Sequence, residues 1–350
     1  MRAVSGAEKK FRARLTELPE KVTPGFQLRA YRGGRLALDA EWGRTWKYYD
    51  LASLTKIFFT VPWMMKAVET KLVDLERPLE DYLPWAPQPA KVERLLMHLA
   101  GNDWWKPFYK QLSLKKDVEF RKNELRALLR AAPPHPHPAK SVYSDIDFFL
   151  LGFLNETVFE QSWNRLWEVF RAEVLDGAEM FFHPENNPLH SVKNYAPTEK
   201  SWFGGGLLQG QVHDENAWAL GGVAPHAGLF GTLDAACEWG LWLRRAYRGE
   251  DPWLKASTVK RFAQRAMPSA KGDWGLGFML PTEGGASCGP GFSLDSIGHT
   301  GFTGTSFWFD PKQDIFIVLL SNRVHPTRAN EEFRRWRPRL HSWVLESLKD

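Results

Sequence analysis

With 350 residues, 43% of them hydrophobic and 25% charged, the chain has the composition of an ordered globular protein, which excludes disorder and removes any need for a metal or disulfide staple. A net charge of +5 is too small and too diffuse to define a nucleic-acid site. Cys237 and Cys288 lie far apart without ligand spacing and read as free thiols, and no apolar run approaches the roughly 20 residues of a membrane span. The first ten residues lack the apolar stretch of a signal peptide, which predicts a cytoplasmic protein, although a chain trimmed of its signal reads the same way.

In chain order, Phe11 to Leu18 has helical character. Phe26 to Tyr31 and Arg35 to Ala40 alternate on either side of Gly33-Gly34 and predict a β-hairpin. Ser53 to Val73 then takes the spacing of a buried helix, with Pro62 inside it as the source of a local irregularity. At its start, Ser53 and Lys56 stand three apart, so one helix face carries a hydroxyl and an amine that can reach it. The plain alternative is a capping serine and a solvated lysine.

Basic residues concentrate between Lys110 and Arg130, mixed with acids and with leucines at helical intervals, which predicts a solvated amphipathic helix rather than a polyanion site. Pro133 to Pro138 reads as a stiff extended linker whose His135 and His137 are surface residues rather than metal ligands. An apolar helix is expected within Tyr143 to Asn155. Trp274 to Leu280, Thr305 to Phe309 and Ile315 to Leu320 read as strands, the last two antiparallel across the turn Asp310 to Asp314, and Ala329 to Leu348 as a terminal helix.

Three short motifs in fixed order give these elements a chemistry. Ser53-Leu54-Thr55-Lys56, Tyr143-Ser144-Asp145 and His299-Thr300-Gly301 resemble the active-site motifs of the serine beta-lactamase and penicillin-binding protein superfamily, particularly its class C-like hydrolase and esterase branch. The resemblance spans most of the chain. It implies an α+β, beta-lactamase/transpeptidase-like fold: an antiparallel sheet flanked by terminal helices, plus a largely helical lobe. Residues 1–350 would form one catalytic domain, with about 20–60 and 270–350 in the α/β lobe and about 75–260 in the helical lobe and active-site loops.

By the same resemblance, Ser53 forms the acyl-enzyme and Lys56 and Tyr143 share general-base and proton-return duties. Asp145 orients the lysine and contacts substrate, Thr300 and Gly301 shape the strand-side wall, and the backbone amides of Ser53 and Phe302 form the oxyanion hole. Two departures matter. Asp145 replaces a commoner Asn, and its charge favours protonated Lys56, so Lys56 is not assigned as sole base. His299 replaces a commoner Lys and is expected to titrate near physiological pH beside the serine. Each motif residue also has a bland reading: Tyr143 as packing, Asp145 as a helix cap, His299 as a loop hydrogen-bonder.

Gln211 to Ala217 and Gly221 to Gly231, with Ala196 to Glu199 upstream, resemble tracts of the same branch. His213, Asp214, Glu215 and His226 look superficially like metal ligands, but the resemblance implies no metal and no cofactor, leaving loop hydrogen bonds and active-site walls. The reaction implied is acyl transfer to water from a small amide, ester or muropeptide substrate, with a cell-wall fragment or D-amino-acid-containing peptide favoured. A broad carboxylesterase with weak beta-lactamase activity and an inactive penicillin-recognising binding protein are the alternatives. Trp104, Trp105, Phe108, Tyr109 and Trp202 line a pocket or fill the helical lobe.

Overall fold

The computed structural model describes residues 4–86, 89–136, 138–282 and 287–349. Helix α1 (Gly6–Arg14) begins earlier than its apolar residues announce, because Ser5 and Glu8 form a capping box: the Ser5 hydroxyl accepts the Glu8 N–H at 3.1 Å and the Glu8 carboxylate accepts the Ser5 N–H at 2.7 Å. Strands β1 (Gly25–Arg32) and β2 (Arg35–Gly43) then form the expected hairpin, with Gly33 and Gly34 at φ +58° and +75° in its turn. After β3 (Tyr49–Asp50) come a wide helical turn over Lys56–Thr60 and helix α2 (Val61–Glu69).

Pro62 accounts for the wide turn. It has no N–H for the carbonyl four residues back, Phe58 O, and its ring would crowd that oxygen. The backbone widens so that Val61 N–H reaches Lys56 O, and Phe58 O accepts Trp239 Nε1–H at 3.2 Å instead.

The middle of the chain holds α3 (Val92–Leu96), α4 (Val118–Arg130), α5 (Asp145–Phe159), α6 (Trp163–Val174), β4 (Met180–Phe181), α7 (Glu215–Ala219), β5 (Phe230–Gly231), α8 (Leu233–Arg248) and α9 (Ala256–Ala263). Strands β6 (Ile297–Thr300), β7 (Ser306–Asp310) and β8 (Ile315–Ser321) and helix α10 (Glu332–Ser347) close it. Five strands form one antiparallel sheet in the order β2-β1-β8-β7-β6, which joins the two ends of the chain. A small second sheet orders as β3-β5-β4.

Alternation along β8 builds two cores. Ile315, Ile317 and Leu319 meet α1 and α10 through Phe11, Phe333, Leu340 and Val344, while Phe316, Val318 and Leu320 join Trp239 and Trp242 of α8 and the helical part. The fold is therefore α+β, with terminal helices on one sheet face. Among the described residues no helix is long and apolar enough to cross a membrane.

Two expectations need correction. Trp274 to Leu280 is not a strand: Gly275 N–H closes a turn onto Phe278 O at 2.9 Å, and Gly277 takes φ +88° where a Cβ would lie 2.4 Å from Val61 Cγ2. Met279 alone of that tract pairs with the sheet, opposite Gly298 of β6, the edge strand that the alternation did not reveal. The basic tract is helical from Val118 but not simply solvated, since Arg121 and Lys122 are buried, bonding Ala219 O and Glu156. In the proline-rich linker His135 is exposed near Asp103, and His137 lies outside the described residues.

Candidate active site

The site is built where β3 enters the wide helical turn. The buried Asp50 carboxylate accepts the amides of Ala52 at 2.8 Å and His213 at 2.7 Å, and Ala52 takes φ +49°. That left-handed conformation costs an alanine about 1–2 kcal/mol. Beyond it the chain turns helical at once: the amides of Leu54, Thr55 and Lys56 reach the carbonyls of Leu51, Ala52 and Ser53. Ser53 and Lys56 thus share a face, with Lys56 Nζ 3.2 Å from Ser53 Oγ.

Tyr143 comes from the other side. Ser144, not Asp145, caps α5 by accepting the amides of Ile146 and Asp147 at 3.1 and 3.3 Å. Tyr143 Oη, just ahead of the cap, donates to Ser53 Oγ at 2.8 Å. Asp145, released from capping, accepts from Lys56 Nζ at 2.6 Å. Lys56 also donates to His226 O at 3.2 Å.

The third motif arrives on edge strand β6. His299 lies with its ring 5.7 Å from that of Tyr143, its Nδ1 2.8 Å from Thr300 O, and its buried Nε2 without a partner among the described residues. The loop after it is tied to the serine segment: Thr303 Oγ1 donates to Asp50 O at 2.8 Å and Thr305 Oγ1 to Leu51 O at 3.1 Å. Gly301 permits the approach, since a Cβ there would lie 2.8 Å from Leu51 O and 2.0 Å from Thr305 Oγ1. Ser53, Thr300, Gly301 and Phe302 line one cavity of about 720 Å³ together with Tyr143 and His299.

The Beta-lactamase family matches residues 8–340 of this architecture. The chain belongs to the Beta-lactamase family. Among curated relatives of this family member, a Salmonella paratyphi B protein named "Putative D-alanyl-D-alanine carboxypeptidase" is 28% identical, over 88% of this chain and 80% of its own. Two solved structures share the fold. EstCE1, described as a hydrolase with promiscuous acyltransferase activity, superposes at a TM-score of 0.70 and 17% identity over 95% of this chain and 98% of its own. A penicillin-binding protein homologue from Caulobacter crescentus does so at 0.70 and 17% over 99% of each chain.

In this Beta-lactamase-family chain the lysine contacts amount to a proton inventory. The Asp145 carboxylate and the His226 carbonyl can only accept, whereas the Ser53 hydroxyl can donate. A neutral amine has two N–H bonds and one lone pair, which matches two obligate acceptors and one hydroxyl. Burial pushes the Lys56 pKa below its ordinary value, against the opposing charge of Asp145. Burial, reinforced by Asp145, holds Tyr143 well above the usual phenol range, so its hydroxyl keeps its proton and acts as a donor.

His299 departs from the sequence expectation. It is fully enclosed, and burial, followed by the nearby Lys56 charge, keeps its pKa well below 6.5. It is neutral across the physiological range instead of titrating within it.

The acidic and histidine cluster separates into pairs: His213 with Glu199 at 2.9 Å, Glu215 with Arg328 at 2.8 Å, and His226 with Asp214 at 3.0 Å. Asp145, Asp214 and His226 do bring ligand atoms within 4.8 Å of one another, but the cation facing Asp145 there is Lys56 itself. Of the five aromatic residues proposed for a wall, Phe108 is core and Trp104 is exposed, with Trp105, Tyr109 and Trp202 linked ring to ring between core and surface. Among the described residues, the aromatic lining of the cavity is Tyr143, Trp274 and Phe302. Sequence reasoning missed the His226 carbonyl, Asp50, and Arg337, which also lines the cavity; a backbone oxygen carries no residue signature, and the other two acquire meaning only through tertiary contact.

Proposed function

We propose that this chain is a serine hydrolase that acylates Ser53 Oγ, and that its preferred substrate is a D-amino-acid-containing peptide or cell-wall fragment with a free carboxylate. The observation that carries the substrate half is cationic: Arg323, Arg334, Arg335 and Arg337 line the cavity that holds Ser53, with Glu331 the one carboxylate among its described lining residues. Arg337 is buried, gives hydrogen bonds to Thr305 O at 3.0 Å and Gly301 O at 3.3 Å, and has no partner for Nε among the described residues. Burial, with Arg323 and Arg334 adding repulsion, brings its pKa down to about 9. A bound carboxylate relieves that repulsion and gains charge-assisted hydrogen bonds. The name of the Salmonella relative supports the same substrate class.

In this reading neutral Lys56 takes the Ser53 proton as Oγ attacks the carbonyl carbon, and the amides of Ser53 and Phe302 receive the negative oxygen. Tyr143 passes its proton to the departing amine and regains one from Lys56. Water then repeats the cycle on the acyl-enzyme. Thr300 and Gly301 form the substrate wall, and His299 contributes as a neutral neighbour of Tyr143. The whole chain acts as one catalytic unit, with the sheet supplying β6 and the helical part supplying Tyr143 and Asp145.

A second reading, a broad carboxylesterase, is favoured by the apolar lining of Trp274, Met279 and Phe302. Turnover of one D-Ala-D-Ala peptide series with free and amidated C-termini, beside short acyl esters and a chromogenic beta-lactam, separates them. Preference for the free-acid peptide supports the first reading. Equal turnover of both peptide forms with faster ester cleavage supports the second, and stoichiometric acylation without turnover points to a binding protein.

A further inference from the structure

Behind Tyr143 lies a buried acid and imidazole that the chemistry above does not use. His98 follows α3 in a left-handed conformation, φ +56°, and grips the tyrosine segment on both sides: its carbonyl accepts Val142 N–H at 2.9 Å and its Nδ1 accepts Ser144 N–H at 3.1 Å. Its ring sits 5.0 Å from the Tyr143 ring and 4.4 Å, edge to face, from Trp274. Asp147, in the first turn of α5, places Oδ2 2.9 Å from the same Nδ1, while its Oδ1 accepts from Asn102 Nδ2 at 2.7 Å.

Two groups therefore meet one ring nitrogen. Ser144 N–H can only donate, so Nδ1 carries a lone pair and the ring proton is on Nε2. An ionised Asp147 would then set a carboxylate oxygen against that lone pair with no proton between them. If the carboxyl holds the proton, that opposition is replaced by two donors sharing the one Nδ1 lone pair, Asp147 Oδ2–H at 2.9 Å and Ser144 N–H at 3.1 Å.

We propose that Asp147 is a neutral carboxylic acid donating from Oδ2 to His98 Nδ1, and that this pair is the positioning device that holds Tyr143 against Ser53. Both side chains are almost completely buried. Burial, with Asp145 adding to it, pushes Asp147 well above the ordinary carboxylate range against the opposing Asn102 bond and Lys56 charge. Burial followed by the Lys56 charge brings His98 down to about 3. An acid fixed in its neutral form holds the tyrosine loop without adding a second negative charge beside the Lys56–Asp145 pair.

The kinetic half rests on the acyl-enzyme reading, so the test has one arm that does not. Asp147→Asn keeps a donor toward His98 Nδ1 and an acceptor for Asn102, whereas Asp147→Ala keeps neither. With a chromogenic beta-lactam or the preferred peptide, Asp147→Asn is expected to stay within about 3-fold of the parent acylation rate with an unchanged pH profile. Asp147→Ala is expected to lose at least about 10-fold in rate with little change in KM, as loss of proton-transfer geometry requires. Equal loss in both folded variants, or no loss in Asp147→Ala, overturns the positioning role. In the second arm, ¹⁵N-histidine NMR of the parent, with His98→Gln used for assignment, is expected to show unprotonated Nδ1 and protonated Nε2 at pH 7. A protonated Nδ1 overturns the neutral-acid assignment even if Asp147→Ala does not fold. If the parent itself never acylates, the reading of Ser53 fails while this arm still decides the state of Asp147.

Discussion

Lys56 Nζ lies 2.6 Å from Asp145 and 3.2 Å from Ser53, so one amine is shared between a carboxylate that favours its charged form and a hydroxyl that needs its neutral form. Burial depresses the Lys56 pKa and Asp145 opposes that depression. With Lys56 as the proposed general base, which works above its pKa, acylation is expected to rise with pH through the Lys56 titration. Asp145→Asn removes the opposing charge, and the acid limb of the acylation profile is expected to move to lower pH. Stopped-flow acylation across about pH 5 to 9 checks this; a limb that stays in place while KM alone changes would assign Asp145 to substrate binding.

Tyr143 Oη donates to Ser53 Oγ at 2.8 Å and titrates well above ordinary phenols. Tyr143→Phe keeps the ring contacts with His98 and Trp274 and deletes only the donor. The expected loss is on the order of 10² to 10⁴ in turnover with the thermal midpoint nearly unchanged. Pre-steady-state acylation and deacylation at the parent rates would remove Tyr143 from the proton path.

Arg334 of α10 lines the cavity and pairs with Glu331 at 2.5 Å at its exposed edge. Arg334→Gln is expected to lower kcat/KM for free-carboxylate peptides by about 10-fold, the value of one charge-assisted contact, and to leave the amidated peptide almost unaffected. The ratio of the two substrates is the readout. A uniform loss on both would indicate a structural effect, and no change in the ratio would place the carboxylate elsewhere.

Four buried histidines give the fold an acid liability. Burial lowers His98 and His341 to about 3, His183 to about 4, and His299 well below 6.5. The unfolded chain protonates these rings near pH 6.5 and the native chain does not, so their contribution is intact above that pH and is lost as pH falls toward 4. Each uncompensated proton changes stability by about 1.4 kcal/mol per pH unit. Asp50 and Asp147, raised by burial, offset part of it by retaining protons in the native state. Urea midpoints should fall steadily from pH 7 to pH 4.5; flat or rising midpoints would contradict the neutral buried state.

How far the sequence reached is visible at particular residues. The spacing of Ser53 and Lys56, the hairpin turn at Gly33-Gly34 and the disturbance at Pro62 depend on local geometry, and the structure contains all three. The tract Trp274 to Leu280 reads as a strand because its alternation suits one, whereas Gly277 serves a close approach to Val61. The titration of His299 is not legible in its own motif because it depends on enclosure by Tyr143 and Trp274, which are remote in sequence. The Ser5–Glu8 capping box is also a local feature, legible in the spacing of a serine and a glutamate three residues apart.

Intact-mass analysis of the parent and Ser53→Ala after exposure to a beta-lactam or activated ester tests the central claim most directly. The parent is expected to gain one acyl group, mapped by peptide digestion to Ser53, while folded Ser53→Ala gains none and loses at least about 10³-fold in turnover. The same stoichiometric adduct on Ser53→Ala would place the nucleophile on another residue and contradict the mechanism.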